Sequence, residues 1–340
     1  MTALRILSAG PGVTIQDGGR HGYLRYGVTV AGPMDPFAHA VANRALGNAA
    51  GAAAIEVSPG GVEITAEDQP LDVAVAGGAF RVTLDGEALP AAAVLRLEPG
   101  ATLRLRAGDD GMWAYLAVAG GIELSPVLGS QATHLRTGMG GPGGRMLRTG
   151  DRLPVGAAAG DATGAGEIQA PLLGRPADRI RVLPGPQDDY FDAEVFAAFL
   201  AGPWRISERG DRMACFLEGP VLTHRLGFNI PSDGVAMGAI QVPGEGQPIV
   251  LMADRQSTGG YPKIATVIGA DLGRLAQARP GTQIAFRSVS HAEAVRALAE
   301  ERSFLAGPIP VEPLRRSAFS ADFLLARNLV GGWIDGLRPD

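Results

Sequence analysis

Between residues 54 and 155 the chain is cut by turn residues into short segments of alternating polarity. Ala54-Ile55-Glu56-Val57, Val62-Glu63-Ile64, Leu71-Asp72-Val73-Ala74-Val75 and Phe80-Arg81-Val82-Thr83-Leu84 alternate, and 95–97, 102–105 and 113–118 continue the series. Successive side chains of an extended chain point to opposite faces, so period-two alternation marks strands with one buried face. Asp85-Gly86 between two such runs suits the positive φ of a hairpin turn. Strands this short and evenly spaced close into barrels or stack as sandwiches. With 49 glycines, 25 prolines and a hydrophobic fraction of 46%, the composition fits turn-rich β structure rather than disorder.

A length of 340 residues exceeds one typical domain. Residues 156–170 are rich in Ala, Gly and Asp and lack periodicity, which reads as a linker between domains at 1–160 and 171–305. Asp35-Pro36 opens a helix, Asp as N-cap and Pro at the first position, and Gly47-Asn48 ends it. At helical spacing Arg44 falls beside the apolar stripe of Phe37 and Val41, and Asp17 is its expected partner. The second half restarts at Ile180-Arg181-Val182-Leu183, with a helix over 192–200 and strands at 204–206, 214–217, 249–252, 265–268 and 284–289. Ser290 and Glu293 form a capping box for a helix through Glu300. A proline-rich spacer at 308–313 opens a C-terminal extension, 306–340, with an amphipathic helix expected near 321–329.

The net charge of -5 is mild, and no basic run suggests nucleic acid or a membrane surface. One cysteine precludes an internal disulfide and fits a reducing compartment. The first residues lack a signal-peptide core, and no apolar run is long enough to span a bilayer. The expectation is a soluble cytoplasmic protein. Gly138-Met139-Gly140-Gly141-Pro142-Gly143 satisfies a bare dinucleotide fingerprint, but turn and strand follow it where a helix is required, leaving a connection or a glycine loop facing a ligand. There is no P-loop, no zinc spacing and no nucleophile elbow, so no metal is expected. Cys215 lies in an apolar strand and reads as a core thiol.

Two stretches concentrate polar chemistry. In the first, Asp17 and Arg20 flank two glycines, with Asn43 and Arg44 on the following helix. They either brace the loop on the helix or grip a polar ligand. In the second, Asp254-Arg255-Gln256-Ser257-Thr258-Gly259-Gly260-Tyr261-Pro262-Lys263 follows a strand end, and Gln241 on the preceding segment could reach it. An Arg fork, a Lys point charge, amides and hydroxyls on one turn suit a carboxylate, carbamoyl or phosphate group. Asp211-Arg212 is a third pair, open between salt bridge and site.

At these residues the sequence resembles the family that comprises allophanate hydrolase subunit 2, KipA-like proteins and the C subunit of bacterial 5-oxoprolinase, itself similar to half of the carboxyltransferase domain of urea carboxylase. The resemblance is carried by TIQDGGRHGYLRYGV at 14–28, GPMDPFAHAVANRALGN at 32–48, YLAVAGG at 115–121, GAIQVPGEGQPIVLMADRQSTGGYPKIA at 238–265 and LAQARPG at 275–281. It implies a mainly β (α+β) fold of two β-barrel-rich domains with few short helices and cyclophilin-like topology, at least in the second half. It also implies a partner, the KipI-like protein that forms the B subunit of 5-oxoprolinase, often with a lamB/YcsF-type A subunit. Together these cleave 5-oxo-L-proline to L-glutamate with ATP hydrolysis. Two alternatives stand beside this: a biotin-dependent carboxyltransferase, with biotin on a separate carrier, and a non-catalytic KipA-like antagonist of a kinase inhibitor. For the oxoprolinase reading, Arg255 and Lys263 are expected to hold carboxylate or phosphate, and Asp254 and Tyr261 to orient or exchange protons, making Asp254, Tyr261 and Lys263 the catalytic candidates. Gln241 and Gln256, with Thr258, would hydrogen-bond the substrate, over a pocket floor of Asp17, Arg20, Asn43 and Arg44. At Gly129-Ser130-Gln131-Ala132-Thr133-His134 the chain departs from the Ser-Arg-Ser-Thr-Asp usual in relatives, losing an Arg and an Asp that would bear on what this loop binds, and nothing is carried over to the extension beyond about Gly307.

Overall fold

The structure, a computed structural model, describes residues 2–158 and 164–314. The helix expected near 321–329 lies outside the described residues. Strand alternation in the first half becomes two antiparallel sheets. One runs in the order Arg152–Pro154, Ala3–Ala9, Val62–Ala66, Leu103–Arg106, Arg81–Leu84, Glu87–Leu89. The other runs Thr14–Gln16, Ala54–Val57, Ala114–Val118, Leu71–Gly77, Ala93–Leu97, Gly166–Ile168, Val311–Pro313. Leu4, Ile6, Ile64 and Leu103 from the first sheet meet Ile55, Val73, Val75 and Leu116 from the second in one apolar core. The hairpin at Asp85-Gly86 forms as expected, both residues with positive φ (50° and 88°).

The other face of the second sheet presents Ala74, Ala76, Tyr115 and Ala117, mostly small side chains that let helix α1 (Pro36–Ala45) lie close. The α1 start agrees with its sequence signal, since the Asp35 carboxylate accepts from Ala38 N at 3.0 Å. From α1 the apolar cluster continues into the second half.

The second half is a closed barrel of seven strands: Arg179–Pro184, Lys263–Val267, Ala239–Gln241, Ile249–Leu251, Ala214–Glu218, Trp204–Ile206 and Gln283–Ser288. It closes through a parallel pair between its first and last strands. Helix α2 (Ala193–Ala201) plugs it with Phe199, stacked 4.6 Å from Phe286. Helices α3 (Gly269–Gln277) and α4 (His291–Ala306) pack beside it, and Ser290 caps α4 by accepting from Glu293 N at 3.2 Å.

Two sequence expectations change, and one helix appears that the sequence does not announce. Part of the expected linker is a strand, Gly166–Ile168, and part of the proline spacer is another, Val311–Pro313; they pair with each other, and Gly166–Ile168 also pairs with Ala93–Leu97, fastening the second half to the first-half sheet. Short edge segments of low hydrophobicity carry little periodic signal. Helix α3 has no clear sequence signal, because Gly269 and Gly273 weaken its intrinsic propensity. Its first turn holds buried Asp271, which accepts from Arg181 at 2.7 and 3.0 Å and from Arg274 at 3.0 Å. Among the described residues no helix is long and apolar enough to cross a membrane.

Candidate functional site

The barrel strands Ala239–Gln241 and Lys263–Val267 pair with a register shift between Ile240 and Gln241, which sets Gln241 opposite Lys263 at the barrel end. Such irregularities re-aim side chains. A two-stranded ribbon, Asp233–Gly234 against Thr258–Gly259, lies over them. A Cβ at Gly259 would collide with the Gln241 amide nitrogen, so only glycine lets the ribbon come this close. The buried Lys263 ammonium meets the exposed Asp233 carboxylate at 3.0 Å. That hydrogen bond holds the Asp233 carboxyl below the ordinary range. Gln187 accepts from Lys263 N at 3.3 Å. Gln241 Nε2 is buried and has no hydrogen-bond partner among the described residues. A buried donor left unpaired costs about 1–3 kcal/mol, which a ligand oxygen would recover.

Arg255 approaches the same ribbon from beneath and donates Nε to Val235 O at 3.1 Å. It is buried, its partners are carbonyls, and among the described residues no carboxylate pairs with it. Burial lowers its guanidinium pKa. Tyr261, Gln256 and Thr258 sit on the exposed side of the ribbon. His224 lies beside this end, its Nε2 2.9 Å from Val242 O and its ring between Phe191 and Phe228.

Asp254 faces away from this cluster, toward the junction of the halves. Arg212 grips it with two hydrogen bonds, 3.0 and 2.8 Å, while donating also to Glu56 and to Gly32 O. Glu56 accepts from Met34 N at 2.8 Å and from the Tyr115 hydroxyl at 2.9 Å. All of these groups are buried. Burial raises the Glu56 carboxyl despite the Arg212 charge, and burial and Glu56 together push Tyr115 well above its ordinary value. For Arg212, burial acts downward but Glu56 and Asp254 outweigh it, so the cation is held above its ordinary value. The pair Asp211-Arg212 therefore divides: Arg212 joins the halves, and Asp211 only caps its turn by accepting from Met213 N at 2.7 Å.

The side chains of the first dense stretch make bracing contacts. Asp17 accepts from Gly19 N, Ser130 Oγ and Gln131 N at 2.9, 2.6 and 2.6 Å. The expected Asp17–Arg44 pair does not form: Arg44 donates Nε to Leu305 O at 3.1 Å, since α4 lies over the end of α1. Asn43 ties α1 to Ala52 O at 2.9 Å and to Asn48 at 3.1 Å. Arg20 reaches the carbonyls of Val127 and Ala132, both at 2.9 Å.

Sequence reasoning missed Glu56, Tyr115 and Asp233. A signal existed for Glu56, a lone carboxylate in the fully buried strand Ala54–Val57. Nothing local marks Asp233. Burial pushes the Cys215 thiol up to about 12, consistent with an inert core thiol. Among the described residues no cluster suits a metal ion. A separate cavity of about 660 Å³ opens between α1, α3 and residues 172–178, largely apolar, where Glu301 pairs with Arg175 at 2.6 Å. Burial pushes the Glu301 carboxyl up to about 6.

The model of the carboxyltransferase domain, subdomain A and B, matches residues 26–288. The C subunit of the Escherichia coli 5-oxoprolinase is 40% identical over 301 residues, which is 88% of this chain and 96% of that protein. The urea amidolyase of Saccharomyces cerevisiae is 31% identical over 334 residues, 93% of this chain but 18% of that enzyme. The crystal structure of the Kluyveromyces lactis urea amidolyase aligns with a TM-score of 0.84 at 28% identity, over 93% of this chain and 20% of that one. The chain thus spans about a fifth of the urea amidolyases it matches.

Proposed function

The chain belongs to the carboxyltransferase-domain family, subdomains A and B, alongside the C subunit of 5-oxoprolinase, and on that premise we propose that it is a subunit of an ATP-dependent 5-oxoprolinase. The reaction opens 5-oxo-L-proline to L-glutamate. The observation that carries the reading in this chain is the unpaired Gln241 Nε2 beside the buried Lys263 ammonium at the barrel mouth. A lactam that also bears a carboxylate offers the two acceptors these donors need. Gln241 donates to the lactam oxygen; Lys263 and Arg255 take the carboxylate, for which their charge and buried setting are suited. Tyr261 on the rim orients the substrate, with Gln256 and Thr258. Asp254 acts through Arg212 as a positioning residue that fixes the strand end carrying Arg255.

An amide is a poor electrophile; ATP as co-substrate phosphorylates its oxygen and leaves as ADP, one water then adds and the ring C–N bond breaks to give an acyl phosphate, and a second water releases phosphate and L-glutamate. The glycine-rich segment 138–144 does not form a nucleotide cradle: it makes turns that pack on Ala132, Thr133 and Gly138 rather than opening a helix. We therefore assign ATP to a partner, either the KipI-like B subunit or the lamB/YcsF-type A subunit, in a cytoplasmic complex. The domains are taken as 1–160 and 171–305, with 306–340 as an extension. In the test, the chain is mixed with both partners and ATP hydrolysis is followed with and without 5-oxoproline. ATP hydrolysis that requires 5-oxoproline and all chains is expected. An assembled complex without it overturns the reading.

The match to urea amidolyase favours a second reading, carboxyl transfer to or from a biotin carrier. Transfer of labelled carboxyl from carboxybiotin by the purified chain would select it.

A further inference from the structure

The barrel mouth is closed on itself. The Lys263 side chain is 3% exposed, and its ion partner among the described residues is Asp233, whose side chain is 55% exposed. The Gln187 side chain hydrogen-bonds the same carboxylate. Asp233 belongs to the ribbon of Asp233–Gly234 against Thr258–Gly259, and that ribbon also packs on Gln241. The unpaired Gln241 Nε2 lies directly under Gly259, where even a Cβ would come within 2.3 Å of it. A ligand oxygen can reach this donor only when the ribbon moves.

The ribbon is lightly held. It pairs over two residues on each strand, and residues 231–234 on its outer side are exposed. So short a pairing has little stability of its own. Among the described residues, the contacts that reach Asp233 from outside the ribbon come from Lys263, at 3.0 Å, and Gln187. The two ends of this ion pair are unequal. Asp233 sits at the surface, so on leaving it regains water, and an exposed carboxylate gives up little by doing so. Lys263 is buried and cannot be left without a counter-ion, since an uncompensated buried ammonium is strongly unfavourable. Whatever displaces Asp233 must therefore bring negative charge. Asp233 itself shows the fitting shape, one carboxylate shared between an ammonium and an amide.

We propose that Asp233 is an internal stand-in for the substrate carboxylate: it occupies Lys263 and Gln187 until a ligand carboxylate displaces it, and the released ribbon then uncovers Gln241. This rests on the barrel mouth as the carboxylate site proposed above, and it adds the residue that sets selection there. A lactam that carries a carboxylate replaces Asp233 charge for charge and goes on to reach Gln241. A neutral lactam would leave Lys263 unpaired and is refused. The exchange makes and breaks no covalent bond.

The test is calorimetric titration of the purified chain with three probes. They are 5-oxo-L-proline; cyclopentanecarboxylate, which keeps the carboxylate and lacks the lactam; and 5-oxoprolinamide, which keeps the lactam and lacks the charge. Asp233→Asn and Asp233→Ala should each bind both carboxylates about fivefold more tightly than wild type, the weight of one exposed ion pair removed from competition. 5-Oxoprolinamide should gain less. Adding Lys263→Met to Asp233→Asn should abolish the gain. Carboxylate binding no tighter in either Asp233 variant, or an equal gain for 5-oxoprolinamide, overturns the proposal, Asp233 then only holding Lys263 in place. The oxoprolinase reading fails separately, because cyclopentanecarboxylate reports the exchange whether or not the assembled complex hydrolyses ATP with 5-oxoproline.

Discussion

Arg212 holds Asp254 by a two-pronged contact of 2.8 and 3.0 Å while its remaining donors cross to Glu56 and Gly32 in the other half of the molecule. The carboxylate that the sequence offers as a catalytic candidate anchors the junction through Arg212. Removing one member of a buried ion cluster leaves an uncompensated charge, at about 3–5 kcal/mol. Asp254→Asn and Arg212→Met should each lower unfolding free energy by that order in denaturant titrations. A proton-shuttling Asp254 would behave otherwise, with stability near wild type and kcat alone reduced; that pattern would sink the positioning role.

Gln241 and Lys263 separate stability from binding. The Gln241 amide nitrogen is buried without a partner among the described residues, so Gln241→Leu removes a desolvation cost and should leave Tm unchanged or raised. In the reconstituted complex the same variant should raise KM for 5-oxoproline about tenfold, the worth of one hydrogen bond to a polar substrate. Gly259→Ala should mimic the loss by pushing the Gln241 side chain aside. Unchanged KM in both variants would remove the barrel mouth from consideration.

The legible parts of this molecule are local. Asp35-Pro36 announces α1, Asp85-Gly86 a hairpin and Ser290 with Glu293 the start of α4, because each signal is complete within a few residues. Gln241 and Lys263 are legible as chemistry, although their mutual register depends on a strand irregularity that no side chain encodes. What stays hidden depends on distance along the chain. Glu56 and Arg212 are 156 positions apart, and nothing near either names the other. Arg20 and Asp17 are visible as a pair, but their partners are mostly backbone groups of residues 127–132, in which nothing local names them.

His39 should make the fold sensitive to mild acid. It is fully enclosed, with Nε2 3.2 Å from Gln16 O and its ring edge on Tyr115, and burial lowers its pKa from 6.5 to about 4. As pH falls below 6.5 the unfolded chain takes up a proton that the folded chain refuses. The stability from neutral His39 is therefore present above 6.5 and lost as pH falls toward 4, by about 3 kcal/mol. His39→Gln keeps a donor for Gln16 O and should flatten the stability curve over that window. Parallel curves for variant and wild type would show that other groups govern the acid response.

Gly273 sets helix propensity against packing. It lies inside α3 without positive φ, so alanine there would ordinarily gain up to about 1 kcal/mol of helix stability. A Cβ at 273, however, would run into the Asp35 carboxylate. That carboxylate cannot retreat freely: one oxygen caps α1 at Ala38 N, and the other accepts from Gln277 Nε2 at 3.0 Å. Gln277 in turn holds Met112 N and Trp113 N of the first half at 2.9 and 3.0 Å. Displacing Asp35 costs the cap, about 1 kcal/mol, and overpacking adds about 1–3 kcal/mol, so sterics outweigh propensity. Gly273→Ala should therefore destabilise the chain. Because Asp35→Ala already loses the cap, adding Gly273→Ala to it should cost little more. The double-mutant cycle reads this as a coupling of about 1 kcal/mol or more. Additive effects, or a stabilised Gly273→Ala, would mean that α3 does not press on the α1 cap.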